Sequence, residues 1–343
     1  MAIADGETKI QEGAGPLDHG DVGSSERDIV APVPLTVLTG FLGAGKTTLL
    51  NRILNGDHGL RVAVLVNDFG SINIDAELVV GIESDVISLA NGCVCCTIRD
   101  DLIESVIATI ERPEKPEYVL LEASGVADPT GIMVTFSMPQ FRDTIRLDSI
   151  TCVVDAEQVF AAPEAERLKL FQIACSDMVI LNKMDLVEAP QRERISAWLD
   201  EHFHRIRVLE ASHCDVPLEV LLSAGRFDPT QLEIDAHGHD HQHDAQPAFE
   251  TWTYETDRPL SSEALREAAS KLPLSVYRAK GIVNLHEEPD RRAVLQVVGK
   301  RVEIELLDEW GERPRRTRIV AIGASDRVDS NALHAHFESC VAV

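Results

Sequence analysis

Three cysteines lie within four positions of the segment NGCVCCT at residues 91–97. Thiolate is a soft ligand that suits Zn²⁺, Co²⁺ or Cu⁺, and neighbouring thiolates can hold one ion together. Cys93, Cys95 and Cys96 would leave a fourth coordination position open, as a site that releases its ion requires. Redox chemistry at Cys95 and Cys96, or packing of Cys93, is the alternative, and we favour the metal site.

A glycine-rich run, GFLGAGKT at residues 40–47, satisfies the pattern GxxxxGK[ST] of a phosphate-binding loop. It follows an apolar strand pattern and precedes the amphipathic segment TTLLNRIL, which is the context that the motif requires. The Lys46 ammonium would contact the β- and γ-phosphates, and the Thr47 hydroxyl would ligate Mg²⁺. A glycine-rich turn that merely carries a lysine is the alternative. The candidate nucleotide-contacting residues of this run are Gly40, Gly43, Ala44, Gly45, Lys46, Thr47 and Thr48.

The segment NKMD at residues 182–185 ends the apolar run DMVILN and indicates which base is bound. The carboxylate of Asp185 can accept from both N1–H and N2–H₂ of guanine, whereas adenine offers no matching pair of donors. Asn182, Lys183 and Asp185 therefore favour GTP over ATP. So short a string is an ordinary turn in many chains, but its place after a late strand of a phosphate-binding domain supports the guanine interpretation.

Two acidic positions are candidates for hydrolysis, in addition to Lys46. Glu122 ends the run EYVLLE and, with Gly125 three residues later, occupies the place where many GTPases have DxxG. Glu122 could hold Mg²⁺ through water, and the Gly125 amide could sense the γ-phosphate. Asp68, in VNDFG, is a candidate to position Mg²⁺ or the attacking water. For Glu122 alone, a solvated strand end is the alternative.

Four histidines alternate with glycine, aspartate and glutamine in the run DAHGHDHQHD. In an extended chain they would project from one side about 6.6 Å apart, too far for neighbours to share an ion. The pattern predicts weak, exchangeable metal capture, and a solvated linker is the alternative. The four residues are His237, His239, His241 and His243.

Alternating apolar runs and amphipathic stretches position these motifs. Over residues 34–227 they predict an α/β domain of the P-loop NTPase type, with a doubly wound, mostly parallel sheet. Residues 1–33 are expected to form a disordered acidic extension, and residues 228–248 a histidine-rich linker. Strand and helix patterns in residues 249–343 predict a smaller α+β domain. The apolar runs of the first domain are 35–39, 61–67, 85–89, 117–122, 149–155 and 177–182.

The formal net charge of −25 over 343 residues limits the classes of partner that the protein is expected to bind. A general nucleic-acid or anionic-membrane binder needs a basic surface, so neither partner is expected. No apolar run approaches the roughly 20 residues that span a bilayer. Seven cysteines with a single cluster do not fit a secreted disulfide framework. We expect a cytoplasmic protein with reduced thiols.

The ordered set GFLGAGKTT, NGCVCC, EASGVADP and NKMD resembles the CobW-like family of metal-chaperone GTPases, over roughly residues 34–325. The resemblance implies that the motif residues named above bind phosphate, Mg²⁺ and guanine, and that the CxCC cysteines bind the transported metal. It also implies slow GTP hydrolysis coupled to metal delivery. One position departs from the family, since Val66 stands where many members have an acid before Asn-Glu/Asp-Phe-Gly. We therefore assign no metal-ligand role to Val66.

These signals together predict a GTPase that transfers a transition metal to client metalloproteins. The expected ligands are GTP, Mg²⁺ and Zn²⁺, with Co²⁺ as the alternative metal, and a homodimer is one assembly that we consider. A nucleotide-regulated metal buffer or sensor without direct transfer is the first alternative function. A P-loop kinase, which would prefer ATP, is the second.

Overall fold

The structure is a computed structural model that describes residues 32–66, 86–88, 97–222, 249–324, 327 and 329–342. The cysteines of the CxCC motif, Asp68 and the four histidines of the linker lie outside these residues. Pro32–Val343 cluster as one compact unit by contacts. No helix in the described ranges is both long and apolar enough to cross a membrane.

The first sheet has seven described strands in the order β3-β2-β4-β1-β5-β6-β7, and every pairing in it is parallel. Most of its strands are runs of valine, isoleucine and leucine that are buried along their length, because helices cover both faces of a parallel sheet. The strands are β1 Val33–Thr39, β2 Val62–Val66, β3 Val86–Ser88, β4 Tyr118–Glu122, β5 Ile145–Asp155, β6 Met178–Asn182 and β7 Arg207–Glu210.

Helices connect these strands, as the alternating apolar pattern predicts. Helix α1 begins directly after the glycine-rich run, and α2 begins directly after the CxCC motif. The helices of this part are α1 Lys46–Leu54, α2 Thr97–Ile110, α3 Thr130–Phe136, α4 Glu166–Cys175, α5 Ala189–His202 and α6 Leu218–Leu221. Short 3₁₀ segments lie at Pro139–Phe141, Pro163–Ala165 and Met184–Leu186.

The second sheet is antiparallel, with described strands in the order β11-β10-β9-β12-β8. Helix α7 begins at Ser262, and the Ser261 side chain accepts a hydrogen bond from the Ala264 amide at 3.5 Å. The parallel sheet with its connecting helices, followed by this antiparallel sheet with its helices, confirms the predicted fold class. The elements are β8 Phe249–Thr256, α7 Ser262–Ser270, β9 Val276–Asn284, β10 Arg291–Val298, β11 Arg301–Glu309, β12 Thr317–Ala324 and α8 Ser330–Glu338.

A buried ion pair joins the two sheets. Asp148 on β5 accepts from Arg278 Nη2 on β9 at 2.5 Å and from the Tyr118 hydroxyl at 2.7 Å. Arg146 Nη1 donates to the other oxygen of Asp148 at 3.0 Å. Burial by itself would raise the pKa of Asp148, but Arg278 and Arg146 outweigh burial and hold that pKa below its ordinary value. The carboxylate is therefore charged within the interface.

The turn between β10 and β11 also contacts the first sheet. Gly299 has φ of +55°, and a Cβ at this position would lie 1.8 Å from the Asp177 carbonyl oxygen. Arg207 donates to the carbonyl oxygens of Val276 and Gly299, and Lys300 Nζ donates to the Ala174 carbonyl at 2.8 Å. Such close approach of backbone to backbone requires glycine and fixes one sheet against the other.

Substituting Arg278 with methionine should destabilise the protein strongly. The change leaves the Asp148 carboxylate buried without its main cation, which costs about 3 kcal/mol. Urea unfolding at pH 7 measures the loss. Arg315→Ala is the matched control, because Arg315 pairs with Asp290 on the surface, and exposed pairs contribute only about 0–1 kcal/mol.

The same variant has a pH signature. Because the pKa of Asp148 is depressed in the native state, its contribution is present above the ordinary carboxyl pKa and is lost as pH falls through the native value. Without the Arg278 cation, burial raises the pKa of Asp148 in Arg278→Met, so the stability gap to wild type should narrow as the pH falls from that raised value towards the depressed native one. A gap that stays constant at acid pH would show that Asp148 is not the group left behind.

Candidate functional site

The glycine-rich run forms the connection from β1 to α1, at the carboxyl edge of the parallel sheet. Gly40 has φ of +131°, and a Cβ there would lie 2.1 Å from the Val153 carbonyl oxygen. Gly45 has φ of +111°, and its Cβ would lie 2.5 Å from Asn182 Nδ2. Larger residues therefore cannot occupy these two positions without moving the backbone of β5 or the Asn182 side chain. The loop shape depends on both glycines.

Lys46 is the first residue of α1 and is buried, with 7% of its surface exposed. Its Nζ donates to the Gly40 carbonyl oxygen at 3.0 Å, so the ammonium lies against the loop itself. Thr47 follows in the first turn of α1 and is half-buried. A cation and a hydroxyl are thus placed where the helix N-terminus already favours an anion.

Asn182 connects the glycine-rich run to the loop after β7. Its Nδ2 donates to the Ala44 carbonyl oxygen at 2.9 Å, and its Oδ1 accepts from the Cys214 amide at 2.8 Å. The residue is 2% exposed, so both bonds are shielded from water. Cys214 adds a third contact, since its Sγ lies 3.3 Å from the Gly45 carbonyl oxygen.

Lys183 and Asp185 follow Asn182 at the end of β6. Lys183 has φ of +63°, and its Nζ forms an ion pair with Asp155 Oδ2 at 2.6 Å. Asp155 ends β5, and its other oxygen accepts from the amides of residues 157 and 158. The Asp185 carboxylate lies 3.8 Å from His213 Nε2. Lys183 is therefore held by the end of β5, and Asp185 lies beside the loop that follows β7.

Glu122 ends β4 and is 3% exposed. In the sheet it pairs with Leu38 of β1 on one side and with Val66 of β2 on the other. Gly125 lies against the glycine-rich run, since a Cβ on Gly125 would lie 2.8 Å from the Leu42 amide nitrogen. The structure therefore brings the loop after β4 and the glycine-rich run together at one edge of the sheet.

Two buried cysteines border this edge. Burial raises the pKa of Cys152 to about 12 and the pKa of Cys214 to about 11. Both thiols are therefore protonated near neutral pH, and protonated thiols are poor metal ligands. Within the described residues, no group of three or more His, Cys, Asp or Glu side chains is arranged to hold a metal ion.

Sequence reasoning missed three residues of this site: Asp155, Cys214 and Gln172. Gln172 on α4 donates through Nε2 to the carbonyl oxygens of Gly125 and Ala127. Asp155 could have been found, because it is the polar residue that ends the apolar run SITCVVD at the same edge as the motifs. Cys214 and Gln172 carry no motif, and only tertiary contacts reveal them.

Two family models match the chain. The one described as CobW/HypB/UreG, nucleotide-binding domain matches residues 34–210. The one described as Cobalamin synthesis protein cobW C-terminal domain matches residues 249–341.

Curated relatives align over most of the chain. A zinc chaperone CobW from Pseudomonas aeruginosa is 33% identical over 86% of this chain and 88% of its own length. A zinc chaperone CobW from Sinorhizobium sp is 29% identical over 90% of this chain and 97% of its own. A zinc-regulated GTPase metalloprotein activator 1 from Dictyostelium discoideum is 30% identical over 81% of this chain and 68% of its own.

Substituting Asn182 with alanine should destabilise the nucleotide-free protein. Two buried hydrogen bonds disappear, and the Ala44 carbonyl and Cys214 amide lose their partner, so we expect a loss of about 2 kcal/mol. Urea unfolding without nucleotide measures this loss apart from any ligand effect. Asn55→Ala is the control, because Asn55 is exposed and its Nδ2 donates to Asn51 O at the end of the same helix. Equal stability of Asn182→Ala and wild type would contradict the bridging role.

Proposed function

Because the chain belongs to the CobW/HypB/UreG family, we propose that it is a GTPase that binds zinc at its CxCC motif and transfers the ion to client metalloproteins. The observation that carries the nucleotide part is the Asn182 bridge, which ties the NKMD loop to the glycine-rich run. Base recognition and phosphate recognition then belong to one site. The printed names of the relatives, which include zinc chaperones and a zinc-regulated GTPase, support the choice of metal and nucleotide.

In this proposal the glycine-rich run holds the phosphates. Backbone amides of Gly43, Gly45 and Thr48 face the phosphate oxygens, and the Lys46 ammonium exchanges its contact with the Gly40 carbonyl for the β- and γ-phosphates. Catalysis of phosphoryl transfer rests mainly on positioning and on stabilising charge. The buried ammonium is suited to that role, because charge interactions are stronger away from water.

The donors at this edge fit Mg²⁺, which prefers oxygen ligands. Thr47 offers a hydroxyl, and the nearly buried Glu122 offers a carboxylate at the neighbouring strand end. When bound, Mg²⁺ would neutralise charge on the β- and γ-phosphate oxygens. Asp68, which follows β2 in the sequence, remains our candidate for orienting the attacking water.

The described elements that flank the CxCC motif in the sequence, β3 and α2, support coupling between metal binding and nucleotide binding. Val66 of β2 pairs with Ser88 of β3 on one side and with Glu122 of β4 on the other. The chain that leads to Cys93 therefore leaves the sheet two strand spacings, about 10 Å, from Glu122. The motif also directly precedes α2, whose N-terminal field favours thiolate over thiol.

The four linker histidines are proposed to capture metal weakly before it reaches the CxCC site. We also propose that the protein forms a homodimer and that it is located in the cytoplasm. In a metal buffer or sensor, by contrast, zinc would bind but would not pass to a client more quickly with GTP.

Substituting Asp185 with asparagine should exchange the base preference. The carboxylate accepts from guanine N1–H and N2–H₂, whereas the asparagine amide presents donors that match the 2-oxo group of xanthine. We expect GDP affinity to fall about 100-fold, with a gain for XDP. Competition against a fluorescent guanine nucleotide measures both. An unchanged GDP affinity, or a preference for ATP in the wild type, would favour the kinase alternative.

Zinc affinity should depend on the bound nucleotide. Competition titration with a chromogenic chelator is carried out on apo, GDP-bound and GTP-analogue-bound protein, and we expect different zinc affinities in the three states. Lys46→Ala should abolish nucleotide binding and with it this difference, while Cys95→Ala should weaken zinc binding and spare GDP binding. Identical zinc affinities in all three wild-type states would rule out the coupling, and loss of GDP binding in Cys95→Ala would contradict separate sites.

A further inference from the structure

Gln172 lies on the buried face of α4, with 1% of its surface exposed. Its Nε2 donates to two carbonyl oxygens of the loop after β4, to Gly125 at 3.2 Å and to Ala127 at 3.1 Å. One side-chain amide therefore forms hydrogen bonds with two loop residues, Gly125 and Ala127, that are separated by a single residue. Nothing in the glutamine's own sequence neighbourhood marks it for this contact, since 47 residues separate it from Gly125.

The loop that Gln172 holds is fixed on its other side by the glycine-rich run. A Cβ on Gly125 would lie 2.7 Å from Leu42 Cδ2 and 2.8 Å from the Leu42 amide nitrogen. Within the loop, the Ala127 amide donates to the Ser124 carbonyl at 2.9 Å. The peptide groups around Gly125 are thus held between α4 and the phosphate-binding loop, and their orientation depends on both contacts.

Gln172 Oε1 is buried and has no hydrogen-bond partner among the described residues. An unpaired buried acceptor costs free energy, whereas the two bonds that Nε2 donates satisfy backbone carbonyls of the loop. The side chain therefore uses only its donor half, and both donated bonds go to the loop after β4.

The same face of α4 contacts two other parts of the site. Lys169, one turn before Gln172, donates through Nζ to the Gln158 and Val159 carbonyl oxygens at 3.2 and 3.1 Å. Its ammonium also lies 5.1 Å from the centre of the Phe41 ring in the glycine-rich run. Helix α4 therefore links the loop after β4, the tip of the phosphate-binding loop and the segment that follows Asp155.

We propose that Gln172 is a positioning residue that presets the Gly125 loop for the γ-phosphate, so that α4 distinguishes GTP from GDP. The inference rests on the proposed GTPase function and names a residue through which that site reads the nucleotide. Gln172 acts on the loop, while the Gly125 amide contacts the phosphate. GDP lacks the γ-phosphate, so its binding does not depend on the position of Gly125.

The first test is Gln172→Met, which keeps the volume and removes both donors. We expect affinity for a non-hydrolysable GTP analogue to fall about tenfold, because one to two hydrogen bonds no longer orient the loop, while GDP affinity stays unchanged. Isothermal titration with each nucleotide measures the two affinities, and steady-state hydrolysis should show a lower kcat. Cys175→Ser on the same helix is the control and should leave the GTP-to-GDP ratio unaltered.

A second variant tests the donor directly. In Gln172→Glu the ionised carboxylate can only accept, so it should reproduce the loss for the GTP analogue at pH 8. Burial raises the pKa of such a carboxyl, so protonation as the pH is lowered to 6 returns one donor and should restore part of the affinity. A purely structural role predicts that the affinities for GDP and for the GTP analogue fall and recover together, whereas the positioning role predicts a change for the GTP analogue alone.

The outcomes separate the two proposals. If wild type binds both nucleotides and Gln172→Met weakens both equally, or weakens neither, the positioning role is wrong and the GTPase proposal stands. If wild type binds neither nucleotide, the proposed function fails and the role of Gln172 fails with it. Should Gln172→Met not fold, Gln172→Glu decides alone through its pH dependence.

Discussion

The hydrogen bonds of Asn182 are the interactions on which the rest of the nucleotide site depends. They join the glycine-rich run to the loop that follows β7, and the residue itself begins the NKMD motif. Gly45 must lack a side chain because Asn182 occupies the space beside it. One buried amide thus leaves no room for a side chain at position 45 and begins the segment that carries Lys183 and Asp185. Its burial makes both bonds costly to break.

The second sheet is attached at the opposite edge from this site. Asp148 and Tyr118 lie near the amino-terminal ends of their strands, whereas the motifs lie at the carboxyl ends. A buried charged pair is a poor source of stability compared with apolar packing, but it tolerates few alternative arrangements, because a misplaced carboxylate would be left uncompensated. The pair therefore specifies how the sheets meet, and leaves the carboxyl edge of the first sheet available for nucleotide.

The sequence predicted the fold because parallel strands are buried on both faces and read as continuous apolar runs. Strand β5 shows where that signal fails. Its apolar run suggests a start at residue 149, yet the strand begins at Ile145, and the charged residues Arg146 and Asp148 conceal that start in the sequence. The Asp148 carboxylate is paired by Arg146 from its own strand and by Arg278 from the second sheet.

The candidate site divides in the same way. Glycines, Lys46 and the NKMD residues were recognisable from spacing, since phosphate and base recognition require fixed residue types at fixed intervals. Among the residues that contact those motifs, Asp155 was recognisable as the polar end of an apolar run, whereas Gln172 and Cys214 were not. Gln172 and Cys214 contact loops that lie 47 and 169 residues away in the chain, and no local pattern records such a contact. Such long-range contacts depend on the fold, whereas the motifs are recognised by residue type and spacing alone.

Two aspartates of strand β5 each form an ion pair with another part of the structure. Asp148 holds the second sheet, and Asp155, seven residues later, holds Lys183. At about 3.3 Å per residue the two carboxylates are separated by roughly 23 Å of chain that is already near its maximum length. A strand in this state cannot stretch, so it behaves mechanically as a stiff rod. Tension applied to the second sheet, for example by a bound partner, would reach the NKMD loop as displacement and not be absorbed along the way.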